Sequence, residues 1–359
     1  ARPRALDRLA ARVEAPPPRW AAGLPAPLWT PQPAAEQAAA GASLRGVRAV
    51  SEQVAWASGS RGTVLRTADG GRTWQRRPVP GADALDFRSV WAFDSLTAVV
   101  ASAGEAAEGQ ARVYRTGDGG RTWTLARRDT TRGVFYDAVA FWDADHGLIL
   151  SDPAEGGARR HFVVLATENG GRTWTRTAGA GLPDALPGEA AFAAGNAALA
   201  VAGSTRALFV TGGPNGARAH ATSTGGARWD AVAVPVAPRS ASAGLFAAAC
   251  ATDRRCLAVG GDYQAPRAGG AQIARTEDGG RTWERTDLGA TAPGYWSGLA
   301  FVRAADAFVA VGGAGTAVTR DAGRTWAVVD TAALNAVSFA PSGAGWAVGP
   351  RGRVVRAGS

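Results

Sequence analysis

The sequence predicts an all-β fold: a seven-bladed β-propeller with four-stranded antiparallel blades, closed when an N-terminal strand completes the last blade. Three observations carry this reading. A short box ending in Trp recurs along the chain, and each repeat unit contains four β-rich runs. The last unit lacks its outer strand, while a matching strand stands near the N-terminus.

The box reads "RTADGGRTW", "RTGDGGRTW", "ATENGGRTW", "TSTGGARW", "RTEDGGRTW" and "TRDAGRTW". Its closing residues are Trp74, Trp123, Trp174, Trp229, Trp283 and Trp326, spaced by 49, 51, 55, 54 and 43 residues. Periods of this size point to propeller blades rather than to helical solenoids, which also use shorter units. In the first unit "RGVRAV", "VAWASGS", "GTVLRTA" and "RTWQRRP" are short β-rich runs divided by turn residues. The second and third units repeat the order, and no comparable segment keeps a helical period.

The last unit supplies "LNAVSFA", "GAGWAVG" and "RGRVVRA" and then ends without a box. Trp29 in "APLWTPQP" lies 45 residues before Trp74, one period away. Residues 28–33 are therefore expected to be the outermost strand of the blade built from about 333–359. Such closure removes the unpaired sheet edges that an open array would expose. The expected organisation is an extension over 1–25, flexible or a short helix, followed by a single propeller domain over 26–359.

Within the box, Asp-Gly-Gly has the composition of a tight hairpin turn. The Asp side chain can accept backbone N–H bonds, and Gly tolerates positive φ. Thr and Trp then re-enter a strand, where Trp buries a large apolar surface. A catalytic group would not need six copies, so Asp69, Asp118, Asn169, Asp278 and Asp321 read as structural. The fourth copy has Thr224 at that position.

Composition bounds the function. The net charge is +9 and every basic residue is Arg. Much of that charge recurs once per box (Arg72, Arg121, Arg172, Arg281, Arg324), spread around the rim rather than gathered in a stripe. Only Arg2, Arg4, Arg8, Arg12 and Arg19 cluster, in the N-terminal extension. Nucleic acid is not an expected partner. No apolar run approaches the ~18 residues that span a bilayer, so the chain is expected to be soluble. Met is absent, including at position 1, which fits a processed N-terminus whose signal peptide is gone. Cys250 and Cys256 flank five residues between two apolar runs, so they are expected to face each other across a hairpin. A disulfide there would fit an oxidising, extracytoplasmic compartment. No metal site or cofactor is expected: His146, His161 and His220 lie in different repeats, and no G-x-G-x-x-G or C-x-x-C occurs.

The box matches the Asp-box, or BNR, pattern [ST]-x-D-x-G-x-T-W. The strand pattern "SRGTVLRTADGGRTW", the closing "W-T" strand and the seven units resemble the photosystem II assembly and stability factor family over roughly residues 26–359. The segments "YDAVAFWDADHGLILSDP", "PGEAAFAA" and "VAVGGDY" resemble a bacterial branch of these proteins. That resemblance implies a chaperone-like role with a protein partner, including a membrane-protein segment. A monomer is expected.

Propellers carry function on the loops and inner strands around the channel. Aligning "FRSVWAF", "YDAVAF", "WSGLAF" and "LNAVSF" places Arg88, Asp137, Ser297 and Asn335 at like positions, joined by Arg45 and, approximately, Glu189. The polar type varies around this ring, as a single asymmetric site would. Three loops add Asp262 and Tyr263, Tyr295 and Trp296, and Asp152 with Arg159, Arg160 and His161. The expected activity is non-enzymatic: holding a protein segment or small ligand at the channel face. The alternative is a glycoside hydrolase like the sialidases, which share Asp boxes. It would draw on Arg45, Arg88, Tyr136, Asp137 and Glu189, with Tyr136 as a nucleophile activated by Glu189. The sialidase F/Y-R-I-P signature is missing, and sialidases have six blades.

Overall fold

A computed structural model describes residues 28–155, 160–177, 181–236, 239–267, 272–286 and 294–357. The N-terminal extension with its arginines, and Arg159, lie outside them.

Seven four-stranded antiparallel sheets make up the fold. The first blade runs Leu44–Ala49, Ala55–Gly59, Thr63–Thr67 and Gln75–Arg76 in sequential order. The first strands of successive blades touch one another in a closed ring around the axis. The seventh sheet closes the circle: Trp29–Pro31 pairs with Val354–Ala357, in the register Trp29↔Ala357 and Pro31↔Val355. Its outer strand comes from the other end of the chain, as the sequence predicts.

Seven apolar clusters fill the seven seams between neighbouring blades. Each repeat Trp packs into the seam with the preceding blade: Trp74, Trp174, Trp229 and Trp29 within clusters, Trp123, Trp283 and Trp326 against them. Trp29, which has no box before it, donates its indole N–H to Thr316 Oγ1 of the sixth blade at 2.9 Å. The repeated Trp is thus the wedge between blades, contributing on the order of 2–3 kcal/mol each by area burial.

In four boxes the turn before the Trp repeats atom for atom. Asp69 Oδ1 accepts from the Thr67 hydroxyl (2.9 Å) and the Thr73 amide (2.9 Å), and Oδ2 accepts from the Thr73 hydroxyl (2.6 Å). Asp118, Asp278 and Asp321 do the same. Asn169 keeps the geometry by donating to Thr173 Oγ1, and Thr224 keeps part of it by accepting from the Arg228 amide. Arg72, Arg172 and Arg324 turn back onto the carbonyl of residue 69, 169 or 321. In these three boxes the recurring Arg therefore closes its own turn.

Candidate functional site

In a four-stranded antiparallel blade, the boxes and the first hairpin turns share one face of the disc. The loops that lead into each blade share the other face. The ring residues of the sequence lie on this second face, and a backbone irregularity aims them. In blades 1, 2, 3 and 5 the first hairpin shifts register at one point, between Leu44 and Gly46, Phe87 and Ser89, Tyr136 and Ala138, and Leu245 and Ala247. The residue skipped each time is Arg45, Arg88, Asp137 or Phe246. A second bulge in blade 3 skips Asp152. Bulges re-aim a side chain out of the ladder and recur near binding sites.

These residues form one neighbourhood. Arg88 Nε pairs with Asp86 Oδ2 at 2.7 Å. Arg45 faces Arg88, Tyr295 and Asp86, and it makes no hydrogen bond or ion pair among the described residues. Burial first, and then the like charge of Arg88, push its pKa below the usual guanidinium value. Beside the arginines, Phe192 stacks on Phe246 with centroids 4.1 Å apart, and Tyr295 stands edge-on to Phe246 at 5.0 Å. Tyr263 flanks both phenyl rings and is 48% exposed.

Asp137 is buried, and neither carboxylate oxygen has a hydrogen-bond partner among the described residues. The Asp152 amide, which faces it, donates to Phe135 O instead. Burial and the neighbouring Asp152 raise the Asp137 pKa well above the usual range, and burial lifts Asp152 to about 7. Both carboxyls therefore keep their protons to higher pH than ordinary aspartates do.

The segment 190–198 lies across the channel. Arg88 donates to Ala193 O (3.3 Å), and Asp152 Oδ1 accepts from the Ala191 amide (2.9 Å). Asn196 binds Val47 O, Val90 O and the Val90 amide, bridging blades 1 and 2. The fourth blade's first strand starts only at Leu199. The residues ahead of it plug the axis.

Other sequence candidates fall elsewhere. Glu189 is not part of the ring. Its oxygens accept from Thr211, Arg218, His220 and the Leu186 amide, inside blade 4. Burial works against ionisation, but these bonds hold Glu189 at about 2. Tyr136 is buried in the seam of blades 2 and 3 and faces Arg127 and Asp129, so it is not among the partners of Glu189. Trp296, a loop candidate from the sequence, is 0% exposed in the seam of blades 5 and 6. A flat indole among Leu299 and Phe308 gains more from that seam than from the surface. Asn335 Nδ2 donates to Leu44 O (2.8 Å), stitching the last blade to the first. Asp262 closes its own loop, accepting from Ser240 and the Gln264 amide. Arg160 donates to Pro153 O, and His161 faces Asp184 at 3.4 Å.

Sequence reasoning missed Phe246 and Phe192. Phe246 sits in "GLFAAAC" at the repeat position of Arg88, so aligning the fifth unit would have found it. Phe192 belongs to the plug, which has no counterpart in the other units.

The sulfurs of Cys250 and Cys256 lie 2.07 Å apart, at disulfide distance, on directly paired residues of the fifth blade's first hairpin. Among the described residues no helix is long and apolar enough to cross a membrane.

No protein-family model matches the sequence, and no curated protein does. Among solved structures, the chain is similar to one described as YCF48 bound to D1 peptide. The TM-score is 0.65 at 17% identity, covering 92% of this chain and 95% of that one. YCF48 from Cyanidioschyzon merolae gives a TM-score of 0.62 at 19% identity, over 92% of this chain and 98% of that one. An ancestral GH74 enzyme gives 0.63 at 13% identity, over 90% of this chain but 45% of that one. These likenesses show the shared fold, a β-propeller.

Proposed function

We propose that this propeller is a non-enzymatic binding protein, of assembly-factor kind, that holds a protein segment on the face opposite the boxes. The observation that carries this reading is the convergence of Arg45, an unpaired half-buried cation, with the Phe192, Phe246, Tyr263 and Tyr295 cluster. Such a surface suits a segment that presents a carboxylate beside an apolar side chain. The rigid ring supports the reading: bulges and the plug pre-organise the site, which lowers the ordering cost of binding. A YCF48 propeller in complex with a D1 peptide supports it at the level of fold. A membrane-protein segment is one candidate ligand. The disulfide supports an oxidising, extracytoplasmic setting, and the protein is proposed to work as a monomer built of one propeller domain.

The test is a cross-linked pull-down from the native source with the wild-type chain and with Arg45→Ala and Tyr263→Ala. An enriched partner that both substitutions reduce at least tenfold is expected. No enrichment, or a partner indifferent to both substitutions, would defeat the proposal.

A further inference from the structure

On the box face the channel opens into a second space, separate from the site above the plug. It is a cavity of about 630 Å³ with Asn196 and Ala197 of the plug in its wall. That volume falls within the ~300–1,000 Å³ of small-molecule sites. Its wall is apolar, with small inner-strand residues (Ala140, Ala248, Ala300) beside aromatic ones (Trp91, Phe301, Phe339).

One arginine stands inside this wall rather than at its mouth. The Arg48 guanidinium lies over the Trp91 ring with Cζ 3.7 Å from the centroid. Its Nε is buried without a hydrogen-bond partner, and among the described residues no carboxylate pairs with it. Burial lowers its pKa to about 10, yet it remains charged at neutral pH. The cavity's carboxylate, Asp143, is engaged by His146 Nδ1 at 3.0 Å and by the amides of residues 145 and 146. At the repeat position of Arg48 the other aligned units carry Trp91, Ala140, Ala249, Ala300 and Ser338. The scaffold therefore does not require a charge there. A half-buried guanidinium that faces the cavity without an ion-pair partner leaves its charge open to an anion. With one face on an indole, its free N–H edge matches the two oxygens of a carboxylate.

We infer that this cavity binds a small organic carboxylate, with the carboxylate on the Arg48 edge and an apolar body against the Ala and aromatic wall. A phosphate dianion would call for further buried donors. The other arginine in the wall, Arg303, is exposed at the mouth. An extended peptide would need a passage where the plug sits.

The experiment is titration calorimetry on the whole chain with benzoate, indole-3-acetate and octanoate, each against its neutral amide. At least one carboxylate is expected to bind, tenfold or more tighter than its amide. Arg48→Met is expected to abolish that preference while raising the melting temperature of the ligand-free protein. Should Arg48→Met not fold, Ala300→Leu decides the matter: it narrows the cavity without touching the cation and should weaken binding at least tenfold. Binding equal for acid and amide, binding unaffected by either folded variant, or no binding of any of the three acids at millimolar concentration would overturn the inference.

Discussion

The two faces of the propeller use the same residue in opposite ways. On the box face, burial works against ionisation of Asp69, but the Thr73 hydroxyl and amide and the Thr67 hydroxyl hold its pKa at about 2. Asp278 is held there in the same way by Thr282, and Asp118 by Thr122. On the opposite face neither Asp137 oxygen has a hydrogen-bond partner among the described residues, and Asp152 is lifted to about 7. A carboxylate that is repeated and saturated serves the scaffold. One that occurs once, sits on a bulge and is under-satisfied costs stability, and such a cost is tolerated where function needs it.

The largest effect that can sharpen this contrast is the pH dependence of the upper pair. Because the folded pKa of Asp152 exceeds its unfolded value near ~3.9, the native state keeps the proton to higher pH. Its contribution is fully present below about pH 4 and is lost as pH rises toward about 7. Asp152→Asn can keep the Ala191 amide bond through its oxygen. It should be more stable than wild type at pH 8, by at most about 4 kcal/mol at ~1.4 kcal/mol per unit, and equal to it near pH 4. Urea unfolding at the two pH values measures this. A wild-type stability that is flat from pH 4 to 8, or an Asn variant weaker at pH 8, would erase the distinction between the faces.

A lower-face aspartate should show the opposite sign. Asp69→Ala removes the acceptor of three short bonds and should cost about 1–2 kcal/mol at pH 7, the usual scale for a lost cap. Asp69→Asn should lose less, because Asn169 already shows that the amide holds the same turn. A folded pKa of about 2 means that the Asp contribution is present above pH ~4 and disappears as pH falls through about 2. The gap between wild type and Asp69→Ala should therefore shrink in acid. A gap that stays constant down to pH 2 would assign the effect to packing instead.

Repetition explains what could be read in advance. Blade number, strand order, the closing role of Trp29 and the turn chemistry of the box all follow from local patterns sampled six or seven times. The site was only partly legible. Arg45, Arg88 and Asp137 came from comparing like positions, but the bulge that aims them depends on backbone register, which side-chain pattern alone does not report. Glu189 was misplaced because the plug inserts residues ahead of Leu199, so an alignment by period slides past it. The burial of Trp296 is a packing outcome. Its loop is rich in small residues, and only the seam between blades 5 and 6 decides which way the indole faces.

The smallest effect concerns backbone alone. In five boxes the residue after Asp, Asn or Thr is Gly, with φ between 65° and 79° at Gly70, Gly119, Gly170, Gly225 and Gly279. The sixth carries Ala322 at φ 57°. A Cβ in that left-handed region costs roughly 1–2 kcal/mol, partly offset because Ala loses less freedom than Gly on folding, by about 0.4–1 kcal/mol. Ala322→Gly should therefore raise stability by about 0.5 kcal/mol. The reverse change, Gly70→Ala, should cost more than that gain. A Cβ there would also crowd Gln53 Oε1 and Glu52 O, both at 3.3 Å. Melting curves of the two variants measure the pair. A destabilised Ala322→Gly would mean that the methyl's contacts outweigh the backbone strain, and the box would then be tuned copy by copy rather than by one shared turn.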